Sequence, residues 1–300
     1  MPLLVDQNTK IEVPSAISVG VFDGVHRGHD YLISRLMEEA RLRKLEPQVL
    51  TFTPHPAYVL SPGKAPRLLT PGDEKIELLS RYPLHHIIKH DFTDSFARMT
   101  GREFLKYLKD KYRVELLVLG HDHAFGSDFL RDDQTIRDIA GTLNMEMVRV
   151  KPYVYKNRIV SSSLIRQLIA RKNIPQANDF LGYDYFLQGE VVHGDKRGRQ
   201  LGFPTANLRV HSHKFLPPAG VYLGYSSIHF NIYKGLLNTG KRPTFRDATE
   251  QVEIHFPDFK GDLYGKKLKF YITDFLRDEI KFNHPEDLRR QIKKDLEALP

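Results

Sequence analysis

The spacing of apolar positions changes character near residue 182. Before that point short apolar runs alternate with helical periodicity. The runs Ala16–Phe22, Gln48–Phe52, His86–Lys89, Glu115–Gly120 and Met145–Val150 read as strands. Between them, Tyr31–Arg43 carries Leu32, Ile33, Leu36, Met37 and Ala40 on one helical face, and Asp73–Arg81, Arg102–Lys111 and Asp133–Thr142 read as further helices. Strands separated by helices of this length predict right-handed βαβ units and a mainly parallel sheet. Ser162 is a candidate N-cap for a helix through Ala170, and a short helix follows over Pro175–Leu181.

After Gly182 the strands follow one another directly: Tyr185–His193, Thr205–Val210, Val221–Ser227, Ile232–Asn238, Gln251–Phe256 and Leu268–Phe275, broken by Gly and Pro. This grammar predicts an antiparallel barrel or sandwich. A terminal helix with Leu288, Ile292 and Leu296 on one face closes the chain. The expected architecture is an α/β domain with a Rossmann-like parallel sheet over residues 1–182. An all-β domain, barrel or sandwich, with a C-terminal helix follows over residues 183–300.

Composition narrows the function. The 300 residues contain no cysteine, which excludes disulfides, thiolate catalysis and cysteine-held metal centres. No apolar run approaches the roughly 18 residues of a membrane span, and the first residues lack the pattern of a secretory signal; a cytoplasmic location is expected. The net charge of +8 and pI near 9.4 suit anionic partners such as nucleotides and phosphorylated metabolites. Basic residues are scattered rather than gathered on one stripe, so a nucleic-acid surface is not expected.

The densest chemistry is Gly20-Val-Phe-Asp-Gly-Val-His-Arg-Gly-His29, at a predicted strand-to-helix turn. Open α/β sheets bind ligands at such turns, and a helix N-terminus attracts phosphate. Gly24 and Gly28 allow close approach of the backbone, and His26 and His29, three apart, project from one side of the entering turn. Two surface histidines on a glycine turn are the bland alternative.

Phe22-Asp-Gly-Val-His-Arg-Gly-His29 resembles the nucleotidyltransferase signature of the bacterial bifunctional riboflavin kinase/FMN adenylyltransferases, the FAD synthetases. Thr51-Phe-Thr-Pro-His-Pro56 is similar to that family's Pro-His-Pro loop, and Ser161-Ser-Ser-Leu-Ile-Arg166 to its Ser-Ser-Thr-x-Ile-Arg motif. Gly189-Glu-Val-Val-His-Gly-Asp-Lys-Arg-Gly-Arg-Gln-Leu-Gly-Phe-Pro-Thr-Ala-Asn207 resembles the flavokinase signature. Asn238-Thr-Gly-Lys-Arg-Pro-Thr-Phe245, Val252-Glu-Ile-His255, Asp262-Leu-Tyr-Gly265 and Leu276-Arg277 extend that match.

The resemblance implies two reactions. In the first domain AMP passes from ATP to FMN, giving FAD and pyrophosphate. There His26, His29, Phe22, Asp23 and Gly28 face the ATP phosphates, and Ser162, Ser163 and Arg166 hold the outer ones. Pro54, His55, Pro56 and Asp122 line the flavin side. The FMN phosphate is already a nucleophile, so alignment and charge neutralisation must do the catalysis. In the second domain ATP phosphorylates riboflavin, whose hydroxyl needs a general base. The matching residue is Glu253, expected to face a barrel mouth, opposite to Val252 and Ile254. Thr205 and Asn207 offer oxygens to a Mg²⁺ ion carried with ATP, Gly194 and Lys196 belong to a phosphate flap, and Arg277 lies by the flavin.

One stretch departs from the family pattern. Where Gly-x-Asp-Phe-Arg-Phe-Gly is usual, this chain has Gly120-His-Asp-His-Ala-Phe-Gly126, with His123 and Ala124 in place of an aromatic and a cation. The alternative reading is the same fold with only the kinase step efficient. Metal ligation by His121 and His123, or by His85, His86 and His90, is not expected, because neither group has the ligand set a zinc site needs. A tRNA-ligase-like enzyme and a non-catalytic flavin- or RNA-binding module are the readings from other classes. The expected partners are riboflavin, FMN, FAD and ATP, with no nucleic acid or membrane, in a monomer or weak homo-oligomer.

Overall fold

The computed structural model describes residues 1–194, 198, 201–242 and 249–299. Two compact units, Met1–Ser161 and Ser162–Pro300, divide the chain.

The first unit is built on a six-stranded sheet. Its strands are β1 (Leu3–Asp6), β2 (Ser15–Gly20), β3 (Glu46–Thr53), β4 (His86–Asp91), β5 (Val114–Leu119) and β6 (Glu146–Arg149). Their order is β1-β4-β3-β2-β5-β6, and every pairing is parallel. The helices are α1 (Arg27–Arg43), α2 (Pro56–Leu60), α3 (Asp73–Leu79), α4 (Asp94–Ala97), α5 (Gly101–Tyr112) and α6 (Asp133–Thr142). A hairpin of β7 (Val154–Tyr155) and β8 (Arg158–Ile159) ends the unit. The chain winds outward from β2 through β3 to β4, then returns to place β5 on the other side of β2. The loops after β2 and β5 therefore flank the point where the winding reverses, which is where such sheets bind ligands.

Helix α1 shows why these residues fold this way. Leu32, Ile33, Leu36 and Ala40 are buried against β2, β3 and β5, following the apolar spacing of the sequence. The buried Glu39 on the same face is held by Arg35 at 2.7 Å and Arg43 at 2.6 Å, which offsets its desolvation. Lys44 ends the helix in the left-handed region at φ 55°.

In the second unit α7 (Ser162–Ala170) and α8 (Ile174–Leu181) precede the six-stranded barrel. Ser162 is the first residue of α7, so the flanking cap position belongs to Ser161. The barrel strands are β9 (Phe186–Val192), β10 (Thr205–Val210), β11 (Gly220–Ile228), β12 (Asn231–Arg242), β13 (Thr249–His255) and β14 (Lys267–Arg277). All pairings are antiparallel and β9 closes on β10. Alternate residues point inward: Leu187, Val191, Leu208, Tyr222, Leu237, Val252, Ile254, Phe270 and Ile272 are buried and fill the interior. The last helix, α9 (Pro285–Leu296), has only Asp295 fully buried.

Candidate active sites

The first site is the turn between β2 and α1. Phe22 and Val25 sit at φ 52° and 35°, Gly24 at 83°. Positive φ at a β-branched valine is a strained conformation, worth about 1–3 kcal/mol and typical of ligand-gripping loops. Two bonds hold the turn: the buried Asp23 carboxylate accepts from the Thr70 backbone N–H at 3.0 Å, and the Gly24 N–H donates to Thr70 Oγ1 at 2.7 Å. His26 then caps α1, its Nδ1 accepting from the His29 backbone N–H at 3.3 Å. A β-carbon on Gly28 would lie 3.1 Å from the His26 ring and 3.2 Å from the Val160 carbonyl, so glycine lets the hairpin end and the imidazole close in.

The His26 and His29 rings stack with centroids 3.8 Å apart, and Phe22 lies 5.1 Å from His29. His29 Nδ1 is buried without a protein hydrogen-bond partner. Burial, then the neighbouring His26 and Lys75, hold the His29 pKa well below the ordinary imidazole value, so at neutral pH the ring is uncharged and offers one N–H. Phe22, Asp23, Gly28, His26 and His29 are thus brought together.

Pro54 stands exposed at the end of β3, while His55 turns its Nδ1 inward to cap α2 by accepting from the Ala57 N–H at 3.0 Å. Asp122 is exposed, its side chain 3.8 Å from His121 Nδ1. Ser163 and Arg166 meet on one face of α7, with Nη2 donating to the hydroxyl at 3.4 Å; they and Ser162 belong to the second compact unit.

Sequence reasoning missed Lys75. This lysine of α3 is 6% exposed and donates to the carbonyls of Val21 and Phe52, each at 3.0 Å. It ties together the ends of β2 and β3. Burial drops its pKa to about 8, against a raising influence from Asp23. The unfolded chain holds this proton up to about pH 10.5, so between the two values it binds more protons than the folded chain and stability rises with pH. Lys75→Met should remove that rise. The urea-unfolding free energy of wild type should gain on the order of 3 kcal/mol relative to the variant between about pH 7 and pH 10.5, measured as paired titrations.

The second site follows from barrel register. Arg277 pairs with Val221, Val221 with Asn238, Asn238 with Glu253 and Glu253 with Asn207. Directly opposite residues share a face, so one row crosses five strands. Leu236, His255 and Thr205 form the next row on that face. Val252 and Ile254, on the opposite face, fill the interior. Glu253 therefore stands on the outer wall of the barrel rather than at its mouth, because the strand alternation that buries its two neighbours turns it outward.

A cavity of about 380 Å³ covers this wall, lined by Thr205, Asn238, Glu253, Arg277 and, from α9, Leu288 and Ile292. A second cavity, of about 550 Å³, opens on Val191, Ala206, Ile254, Phe256, Asp262 and Tyr264, and shares Thr205. Gln251 donates to Glu253 at 2.5 Å and to Asn207 Oδ1 at 3.4 Å. His255 donates from Nδ1 to the Pro204 carbonyl at 2.8 Å, fixing the start of β10. A β-carbon on Gly194 would collide with the Asn207 amide, so the glycine keeps this backbone pressed over the row. Lys196 lies outside the described residues.

Arg277 is not a free surface cation. Its Nε donates to Asp295 Oδ1 at 2.9 Å and its Nη2 to Oδ2 at 2.7 Å, clasping α9 over the wall while lining the cavity. Among the described residues no group of three or more His, Asp or Glu is spaced to hold a metal ion. His85 and His86 bond each other through Nδ1 at 2.9 Å, and His90 bonds the Tyr107 hydroxyl at 3.0 Å.

A histidine-flanked helix start on a parallel sheet, followed by a barrel with a carboxylate among amides, defines a two-unit nucleotide-dependent transferase. A family model for FAD synthetase matches residues 8–164, and one for riboflavin kinase matches residues 181–299. A bifunctional riboflavin kinase/FMN adenylyltransferase of Bacillus subtilis (strain 168) is 33% identical over 289 residues, covering 95% of this chain and 91% of its own. That of Escherichia coli (strain K12) is 32% identical over 281 residues, covering 93% and 90%. A crystal structure described as a macrolide-efflux protein from Streptococcus pneumoniae superposes with a TM-score of 0.88 at 31% identity, covering 98% of each chain. No described helix of the present chain is long and apolar enough to cross a membrane.

The chain belongs to the bifunctional riboflavin kinase/FMN adenylyltransferase family. Both halves match, so the kinase-only alternative is not favoured.

Proposed function

We propose that this enzyme makes FMN from riboflavin and ATP, then FAD from FMN and a second ATP, with the catalytic division of the chain at Gly182. The observation that carries the residue assignment is the row Asn238–Glu253–Asn207 on the wall of a cavity large enough for a ring system. Glu253 takes the proton of the riboflavin hydroxyl as it attacks the γ-phosphorus, and the electron pair of the breaking bond leaves with ADP. Gln251 fixes the carboxylate by its 2.5 Å bond. Arg277 lines the flavin side and holds α9 across it.

Thr205 and Asn207 are neutral oxygen donors two apart on one strand face, a donor set that fits Mg²⁺ when the nucleotide brings the negative charge. The ion would draw charge from the phosphates, and Gly194 would bring backbone against the same amide. In the first unit the N-terminus of α1, His26 and His29 meet the ATP phosphates, with Pro54, His55, Pro56 and Asp122 toward FMN. The expected setting is the cytoplasm, as a monomer or weak homo-oligomer that sedimentation would reveal.

Pure enzyme with riboflavin, ATP and Mg²⁺ should accumulate FMN and FAD. Chelation with excess EDTA should stop both, and Mg²⁺ should restore both. Flavins are separated chromatographically; turnover undiminished in EDTA would remove the metal from the scheme.

A further inference from the structure

Beyond the turn at β2, one more imidazole stands at the reversal point of the first sheet. His123 follows β5 in a loop that is firmly built. Its backbone N–H donates to the Gly120 carbonyl at 3.2 Å, Ser127 N–H reaches the Met99 carbonyl at 2.7 Å, and Asp128 accepts from the Gly101 N–H at 2.8 Å. Arg149, from the end of β6, crosses beneath it with its donors committed: Nε to Asp133 at 2.7 Å and Nη1 to the Gly120 carbonyl at 2.8 Å. The His123 ring packs 5.5 Å from Phe125, which in turn meets Phe104 at 5.6 Å.

Inside this pinned loop His123 Nε2 is buried with no protein hydrogen-bond partner. Buried polar atoms are nearly always paired, and leaving one unpaired costs about 1–3 kcal/mol. The only other imidazole nitrogen in that condition among the described residues is His29 Nδ1, in the first turn of α1, across the same reversal point. Burial first, then Arg149, drives the His123 pKa down to about 4, with Asp122 opposing, so the ring is neutral at working pH. A neutral imidazole against an aromatic wall, beside an arginine already paired with Asp133, suits an uncharged heteroaromatic ring better than a phosphate.

We propose that His123 is a specificity-determining residue of the adenylyltransferase site, its Nε2 hydrogen-bonding the ring system of a substrate, adenine or isoalloxazine, on the β5 side of the turn. This rests on the first unit being the FAD-forming one, which wild-type turnover checks separately.

The test is steady-state FAD formation by the full chain, varying ATP and FMN in turn, for wild type, His123→Phe and His123→Gln. His123→Phe keeps the aromatic volume and removes the nitrogen. The expected result is a KM raised about tenfold for one substrate and altered less than twofold for the other, with His123→Gln between and riboflavin phosphorylation unchanged. A raised KM for ATP assigns the contact to adenine, and one for FMN to the flavin. Both KM values within twofold of wild type in His123→Phe would reduce the imidazole to packing. Equal loss on both substrates together with a lowered melting temperature would make the role structural. Either result overturns the proposal, whereas absence of FAD formation by wild type would refute the underlying reading instead.

Discussion

Glu253→Gln should lower the rate of riboflavin phosphorylation by about 10²–10⁴-fold while leaving FAD formation from supplied FMN within twofold of wild type. The substitution is nearly isosteric, and the new amide keeps the position opposite Asn238 and Asn207 in the row. What disappears is the basic carboxylate. A riboflavin hydroxyl is scarcely ionised at neutral pH, so without a group to take its proton the attack on phosphorus carries the whole cost of forming an alkoxide. Nucleotide and flavin binding should change little, because the cavity wall is otherwise intact; the loss belongs in kcat rather than KM. Chromatographic separation of flavins from parallel reactions, one started with riboflavin and one with FMN, reads both activities. A variant that phosphorylates riboflavin at the wild-type rate would remove Glu253 from the role of base.

How much of this was legible beforehand depends on the range of the interaction involved. Helix α1 was readable, because Leu32, Ile33, Leu36 and Ala40 repeat at helical spacing and are the residues that pack. Strand β10 was readable to the residue, bounded by Pro204 and a polar exit. Strand β1 was not. Its four residues have Leu3 and Leu4 exposed, and only parallel pairing with β4 makes it a strand. The short helices α2 and α4 and the β7–β8 hairpin carry too few residues for a periodic signal. Strand β12 runs past Asn238 to Arg242 because ladder bonds to β13 carry it beyond its apolar stretch.

The sites divide in the same way. The residues of the Gly20–His29 turn lie together in sequence, so their proximity could be read directly. The barrel row could not, since register between Val221, Asn238, Glu253 and Asn207 is fixed by closure of the barrel, and so the outer-wall position of Glu253 emerged only from the pairing. Lys75, and the ion pair that holds Arg277, were out of reach for another reason. A lone cation on an amphipathic segment normally faces water. Only the tertiary fold supplies the two carbonyls that hold Lys75 and the Asp295 carboxylate that clasps Arg277.

His29→Ala should do the converse of the Glu253 substitution: FAD formation from FMN falls about 10²–10³-fold, and riboflavin phosphorylation stays within twofold. The nucleophile here is a phosphate oxygen that needs no base, so the barrier is set by charge crowding on the α-phosphate and the departing pyrophosphate. On the proposed reading His29 answers that with a neutral N–H, its ring stacked on His26 at 3.8 Å and 5.1 Å from Phe22, beside a strained turn. Because burial keeps the imidazole uncharged, its contribution should persist from about pH 8 down through the ordinary histidine range, with no activation near pH 6.5 as a cationic catalyst would give. Initial rates of FAD formation for wild type and variant across roughly pH 6 to 8 measure this; their ratio should stay flat. A ratio that grows steadily as pH falls would mean that His29 works as an imidazolium, and the neutral-donor account of this site would fail.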